Sequence, residues 1–531
     1  MKSERTEESS RSGDMFTVSP FNTAVLSGRE PLKGVEIFDT TLRDGEQTPG
    51  VALTPEDKVR IAHALDILGV SYIEAGFAGS SDIEKQTFRQ INDLGLNAKV
   101  ISLARSVTKD IDAVIDSGCD NVHTFIATSD LHMKYKLRMT PEEVKLRAVE
   151  AIEYAREHGL KVHFSCEDAT RTELGFLREM YVAAQDAGAC SVNIADTVGV
   201  ILPQAMAYLV RELKKDIRVP IAVHCHNDMG LAVANTLSAL EAGATICHVT
   251  VNGIGERAGN AALEEVAVNL SSHYGCDCLR LSKITETSDL VQRLTGVQMA
   301  VNKALVGNNA FAHSSGIHVH GVMENALTYE PFRPEAIGAQ RHFVIGKLSG
   351  AHSIENRLAE LGIDFPPQCI DELMATIKKI AVGGKTITDP ELIAIADDVM
   401  WKKSDQRKEC ILDELTVITG KSTTPTATVK ITRVDGTQVT VSDIGVGPVN
   451  AAVNAIRKAV NEDMTMEEYR MSAITGQSDS ICQVAVTLKN VQSDGDMTYG
   501  RAIGTDVVEA SVEATMSAIN KDFARMKPKR G

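Results

Sequence analysis

The chain has 531 residues, 43% of them apolar and 24% charged, a mix that fits a globular protein of two or three domains with a large core. Its 55 basic and 71 acidic residues give a net charge of −16, which repels a phosphate backbone and excludes nucleic acid as an expected partner, while a local site can still hold a small anion. No apolar run reaches the roughly 18 residues of a membrane span, and the ten scattered cysteines, without a C-x-x-C, suit a reduced, cytoplasmic interior.

The first 34 residues, opening MKSERTEESSRSGD, are polar and lack the apolar core of a secretory signal, so they are expected to form a disordered extension. From Val35 one theme recurs: a short β-branched run, a polar or glycine-containing end, then an amphipathic stretch closing near a glycine. The runs are VEIFDTT (35–41), SYIEAGF (71–77), AKVISLAR (98–105), NVHTFIATS (121–129), KVHFSCEDA (161–169), SVNIADTVG (191–199), PIAVHCHND (220–228) and ICHVTVNG (246–253). Stretches such as PEDKVRIAHALDILG and PEEVKLRAVEAIEYAREHG lie between them and read as helices. Eight strand–helix units over residues 35–300 predict an α/β fold, a (β/α)8 TIM barrel, ahead of an open doubly wound sheet. Residues 301–414 read as a helical linker subdomain that includes the histidine-rich FAHSSGIHVHG. Residues 415–531 read as a regulatory α+β domain with an internal duplication. There ATVKITRVDGTQVTVSDIGVGPVNAAVNAIRKAV gives two strands around Asp435-Gly436, a glycine turn and a helix, and QVAVTLKNVQSDGDMTYGRAIGTDVVEASVEATMSAIN repeats that ββα order. A paired module of this kind, without a metal or nucleophile set, is expected to bind a ligand or a second subunit.

Barrel sites form where the strands end, and polar residues collect there: Arg43 to Glu46, Glu74, Arg105, His123, Ser165, Glu167, Asp168, Asp196, Thr197, and Asn252 to Asn260. The strongest pattern is HCHND (224–228), because residues i and i+2 of a strand share a face and make His224 and His226 neighbours. Paired neutral imidazoles are natural ligands of zinc, manganese or a similar divalent ion, which still needs a carboxylate. Barrel closure brings the end of strand 1 near strand 7, which makes Asp44 the candidate; a loop-capping carboxylate is its alternative role. Such a centre leaves positions for two oxygens of a 2-oxo acid, whose ketone the ion would polarise. Arg43 would neutralise charge developing on an enolate or alkoxide, or else pair with an acid such as Glu74. Glu167 would orient substrate or take part in proton transfer, or else partner an arginine. Thr197 offers a hydroxyl to a carboxylate, or is an ordinary turn threonine. The glycines of NGIGERAGN fall at 253, 255 and 259, out of the G-x-G-x-x-G register, and no G-x-x-x-x-G-K-[ST] or serine elbow occurs, which argues against a kinase or dinucleotide reductase.

FDTTLRDGEQTPGVALT, HTFIATSDLHMKYKLRMT, FSCEDATRTE, HCHNDMGLAVANTLSALEAGA and NGIGERAGNAALEEV together resemble the 2-isopropylmalate synthase branch of the metal-dependent acyl-CoA Claisen-condensing enzymes, whose relatives include homocitrate and citramalate synthases. The resemblance runs from about Val35 to the C-terminus, and the repeated tail resembles the family's leucine-sensing dimer domain. It implies a divalent metal (Zn, Mn or Mg) held by Asp44, His224 and His226, with Asn260 in or near that shell. It implies that Arg43 and Thr197 contact the 2-oxo acid and that Glu167 and His318 act at the reacting centre. In this chemistry acetyl-CoA loses a methyl proton, the enolate attacks the ketone, and thioester hydrolysis releases CoA. His123 and Ser165 resemble the residues of isopropylmalate members at the alkyl end of the pocket, where a small Ser165 leaves room for the isopropyl group of 3-methyl-2-oxobutanoate and a larger residue would favour pyruvate. Inhibition by leucine and a cytoplasmic homodimer are further implications. One departure is EAGFA (74–78), where many isopropylmalate relatives carry proline after the phenylalanine. The alternatives are an (R)-citramalate synthase using pyruvate and a catalytically inactive amino-acid sensor.

Overall fold

The computed structural model describes residues 15–28, 31–343, 350–381, 387, 389–403, 409–461, 464–473, 482–490 and 497–526. They fall into two compact units, Met1–Ala312 with Asn325–His342, and His313–Glu324 with Phe343–Gly531.

The first unit is a closed parallel barrel whose eight strands follow chain order. These are β1 (Glu36–Asp39), β2 (Tyr72–Gly76), β3 (Lys99–Arg105), β4 (Asn121–Ala127), β5 (Lys161–Glu167), β6 (Ser191–Asp196), β7 (Ile221–Cys225) and β8 (Ile246–Val249). Each falls inside one of the eight β-branched runs. The ring closes by β1 pairing with β8, from Glu36 opposite Ile246 to Asp39 opposite Val249. The intervening helices begin where the sequence provides caps. Thr54 and Asp57 form a capping box ahead of helix Pro55–Leu68, which ends at Gly69 in the left-handed conformation (φ 101°), and Thr140 with Glu143 does the same for helix Pro141–Glu157. The first of these helices buries Ile61, Ala62, Leu65 and Leu68 against the strands. Burying a side chain of this size stabilises by about 1.5–3 kcal/mol. Inside the ring, Phe38 stacks on His248 at 4.0 Å and joins Tyr72, Ile101, Ala222 and Ile246 in an apolar plug.

Two expectations are corrected here and one departure is explained. Residues 15–28, part of the extension expected to be disordered, include helix Pro20–Leu26 capped by Ser19, and Phe16 pairs with Phe332, while residues 1–14 lie outside the described set. The anchor is apolar: Phe16 packs on Phe332 at 5.6 Å between ring centres. The barrel unit also extends past residue 300, because Phe311, Phe332 and Ile337 are buried in its core cluster. The missing proline at Ala78 has a use: its N–H donates to Ser102 Oγ at 3.1 Å, a bond proline could not make.

The second unit contains helices Ala351–Glu360, Ile370–Ala381 and Asp389–Lys403, then two three-stranded antiparallel sheets. Strands Cys410–Gly420, Thr423–Arg433 and Gln438–Ile444 precede helix Pro448–Val460, and strands Met464–Ala473, Cys482–Asn490 and Met497–Gly504 precede helix Val507–Met526. The duplication is present with one strand more per repeat than the ββα pattern showed. Met464–Ala473 reads MTMEEYRMSA, rich in good helix formers, and Cys410–Gly420 is mostly exposed, so neither carried the usual strand signal. Among the described residues no helix is long and apolar enough to cross a membrane.

Candidate active site

Barrel closure does what the spacing required. Asp44, in the turn after β1, places Oδ2 3.2 Å from His224 Nε2 and 3.6 Å from His226 Nε2, and the two imidazole nitrogens are 3.3 Å apart. All three residues are buried, and no other such group of histidine, cysteine or acidic side chains occurs among the described residues. Ligand atoms around a small divalent ion at about 2.1 Å lie roughly 3.0–3.4 Å from one another; two of these separations fall in that range and the 3.6 Å one is slightly wider, so a small inward shift of His226 completes the set. Buried atoms left without an aligned hydrogen bond point the same way: Asp44 Oδ2 and Asn260 Oδ1 are both orphans. Asn260 adjoins the centre through a backbone bridge to His226. Burial pushes the Asp44 carboxyl upward, yet the Arg43 charge and the His224 contact hold it well below the usual carboxylate range. His226 is brought down to about 4 by burial and by His224, leaving a neutral donor nitrogen.

Arg43 takes up the alternative foreseen for it. Its Nε donates to Glu74 Oε2 at 2.6 Å, and its Nη1 lies 3.5 Å from Asp44 Oδ2. Glu74 is fully buried; burial raises its carboxyl, but Arg43 and His123 outweigh that and bring it to about 2. His123 Nδ1 is 2.6 Å from Glu74 Oε1, and its Nε2 is 2.6 Å from Ser165 Oγ, which accepts from Asn193 Nδ2 at 2.6 Å. An ionised Glu74 requires Nδ1–H on His123. One relay of short hydrogen bonds therefore links Asn193, Ser165, His123 and Glu74.

Glu167, at the tip of β5, meets a lysine where an arginine was considered: Lys136 Nζ donates to both carboxylate oxygens, at 2.6 and 2.7 Å. Thr197 Oγ1 accepts from Asp168 N at 2.9 Å, fixing the turn after β6. These groups surround one cavity of about 320 Å3 lined by Arg43, Asp44, His123, Ser165, Glu167, Thr197, His224 and His226, together with Gln47, Leu103, Phe125, Lys136, Asn193, Ala195, Glu256 and Arg257. Other strand-end candidates serve structure: Arg105 pairs with Asp110, and Asp196 accepts from Thr170. His318 belongs to the second unit, exposed on helix Gly316–Glu324. Sequence reasoning missed Lys136, Asn193 and Arg257. Asn193 carried a faint mark, a polar residue inside an apolar strand, and Arg257 sat in the glycine loop after β8 with φ 56°.

A parallel eight-stranded barrel with an Asp–His–His group of metal-competent spacing at its C-terminal mouth defines the class as a β/α barrel with its site at the strand ends. Residues 34–291 match the HMGL-like family model, residues 305–385 the homocitrate synthase post-HMGL domain-like model, and residues 386–523 the LeuA allosteric (dimerisation) domain model. The chain is 52% identical to the 2-isopropylmalate synthase of Methanocaldococcus jannaschii over 92% of its own length and 95% of that protein. It is 45% identical to the (R)-citramalate synthase of the same organism over 92% of this chain and 99% of that one. The chain belongs to the 2-isopropylmalate synthase family of acyltransferases, the synthases that condense acetyl-CoA with a 2-oxo acid.

Proposed function

We propose that this enzyme is a 2-isopropylmalate synthase, condensing acetyl-CoA with 3-methyl-2-oxobutanoate to give 2-isopropylmalate and CoA in leucine biosynthesis. The observation that carries the reading is the junction of the Asp44–His224–His226 centre with a pocket walled by Ser165 and His123. A divalent cation held by Asp44, His224 and His226, with Asn260 beside it, would supply a Lewis acid for the ketone. Arg43, fixed by Glu74, and Thr197 would orient the 2-oxo acid, and Glu167 would take the methyl proton of acetyl-CoA. His318 is assigned to the same proton transfer on the resemblance alone. The alkyl end of the substrate would lie against Ser165, Leu103 and Phe125, small enough at Ser165 to admit an isopropyl group. A (R)-citramalate synthase is the second reading, favoured by the 45% identity to such an enzyme. A free-CoA assay across a panel of 2-oxo acids, with and without chelator, separates the two. Preference for pyruvate selects the second reading, and release of no CoA with any of them leaves an inactive amino-acid sensor.

The tail is proposed to bind leucine and to dimerise the chain in the cytoplasm. What supports this is a cavity of about 580 Å3 in the second unit, walled by Val446, Val453, Met464, Leu488 and Ile519 at the start of helix Pro448–Val460. That helix has no side-chain cap at Gly447, so its first N–H groups suit a carboxylate while the walls suit a branched alkyl group.

A further inference from the structure

Among the described residues, Lys136 is the one cation hydrogen-bonded to Glu167, and neither the spacing nor the resemblance foresaw it. It lies on a π-helical turn, Met133–Leu137, of the kind that gathers at functional sites. That turn is pinned at both ends. Ser129 caps the segment Asp130–His132 that leads into it and donates to Asp168 Oδ2, next to Glu167, while Arg138 leaves it in the left-handed conformation with φ 56°. The Lys136 side chain is half exposed and lines the cavity, so its ammonium can follow a charge that moves. His132, the other nearby ring, stands 3.7 Å from Glu167 Oε1, beyond hydrogen-bond reach. Arg43 is already engaged by Glu74 and Asp44.

We propose that Lys136 is a catalytic residue that stabilises the enolate oxygen of acetyl-CoA. The proposal rests on the reading of Glu167 as the base. When Glu167 takes the proton, the methyl C–H bond breaks, its electron pair forms the C=C bond of the enolate, and the negative charge moves from the carboxylate to the thioester oxygen. The thioester oxygen is about 2.4 Å from the methyl carbon, and a base acts from about 3 Å. A cation 2.6 Å from the base is therefore within reach of both. Protonated Glu167 no longer holds Lys136 as a counterion, so the ammonium turns its hydrogen bond to the enolate oxygen. That contact exists only once charge has moved, and so it lowers the barrier rather than merely tightening binding. The enolate carbon then bonds to the ketone carbon, the electron pair returning from the thioester oxygen as its C=O reforms, and the ketone oxygen becomes the alkoxide.

The test uses the full-length enzyme and the variants Lys136→Met, Lys136→Arg and Lys136→Ala. Removing a donor to a developing oxyanion costs about 100- to 1,000-fold in kcat, and Lys136→Met is expected to show that loss. Lys136→Arg should keep more activity than Lys136→Met. Lys136→Ala should regain at least about tenfold with added methylammonium. Binding of 3-methyl-2-oxobutanoate in the presence of Mn2+, followed by calorimetry, should stay within about twofold of wild type in all three, showing that the pocket is intact. A Lys136→Met enzyme within threefold of wild-type kcat overturns the proposal. So does a Lys136→Ala enzyme that methylammonium does not rescue, or a loss of 2-oxo-acid binding that parallels the loss of kcat. Each of these leaves the parent reading standing, whereas a wild-type enzyme that releases no CoA from any 2-oxo acid overturns both.

Discussion

Glutamine in place of Glu74 tests whether the buried relay holds the active site together. A carboxyl held at about 2 in the fold against 4.5 in the free side chain corresponds to about 3 kcal/mol, at roughly 1.4 kcal/mol per tenfold. An independent route gives a similar size, since removing one partner of a buried ion pair costs about 3–5 kcal/mol, and Arg43 is left with Asp44 as its remaining carboxylate at 3.5 Å. We expect Glu74→Gln to lose about 3 kcal/mol at pH 7, or roughly 6–12 °C in the barrel's transition, measured by scanning calorimetry. The sign with pH follows from a depressed carboxyl: its contribution is full above 4.5 and is lost as pH falls toward 2. About 1 kcal/mol of the gap between wild type and variant should therefore be gone by about pH 3.5. A gap below about 1 kcal/mol at pH 7, or one that does not narrow in acid, would refute the reasoning.

Further predictions follow the same geometry. Asp44→Asn removes the only carboxylate of the metal-competent group and should weaken Mn2+ binding by at least about 100-fold, beyond the 10- to 100-fold typical of outer partners; equilibrium dialysis reads it directly, and unchanged affinity would sink the assignment. At Gly255 (φ 149°) a Cβ would overlap Asn260 Nδ2, so Gly255→Ala should displace Asn260 and cost about tenfold in the same dialysis. Ser165→Leu should move the kcat/KM ratio of 3-methyl-2-oxobutanoate to pyruvate toward pyruvate by about 10- to 200-fold. Cutting the chain before Cys410, whose backbone N–H and C=O both bond to Asn520, should abolish leucine inhibition in the free-CoA assay; inhibition that persists refutes the tail's proposed role.

The sequence displayed the fold most clearly where local and global preferences agree. All eight barrel strands lie within β-branched runs, and Thr54 and Thr140 mark helix starts by capping chemistry that needs no tertiary contact. The His224–His226 pair was legible because strand periodicity fixes i and i+2 on one face. Asp44 needed one long-range assumption, closure of the ring, which the β1–β8 pairing satisfies. What stayed hidden depends on contacts without a local pattern. Lys136 sits in a loop segment whose π-helical turn aims it at a residue 31 positions away. Strand Met464–Ala473 opposes its own propensities and is held by pairing with Cys482–Asn490.

The relay also bears on how the pocket discriminates between substrates. With Glu74 ionised by Arg43 and the His123 ring neutral, the hydrogen bonds point one way: His123 donates to Glu74, Ser165 donates to His123, and Asn193 donates to Ser165. In that state the Ser165 proton is committed to His123, and the hydroxyl offers no free donor to the cavity it lines. An alkyl group loses little against such a surface, whereas a polar group brought there would give up its hydration without gaining a donor. On the proposed function, selection against polar 2-oxo acids would begin at Arg43, through Glu74 and His123, and selection among alkyl groups would be left to volume. Volume separates neighbours by only about 1–3 kcal/mol. On that reading a change of a methylene or two at the wall, with the metal-competent centre untouched, would be enough to shift preference between a branched and an unbranched 2-oxo acid.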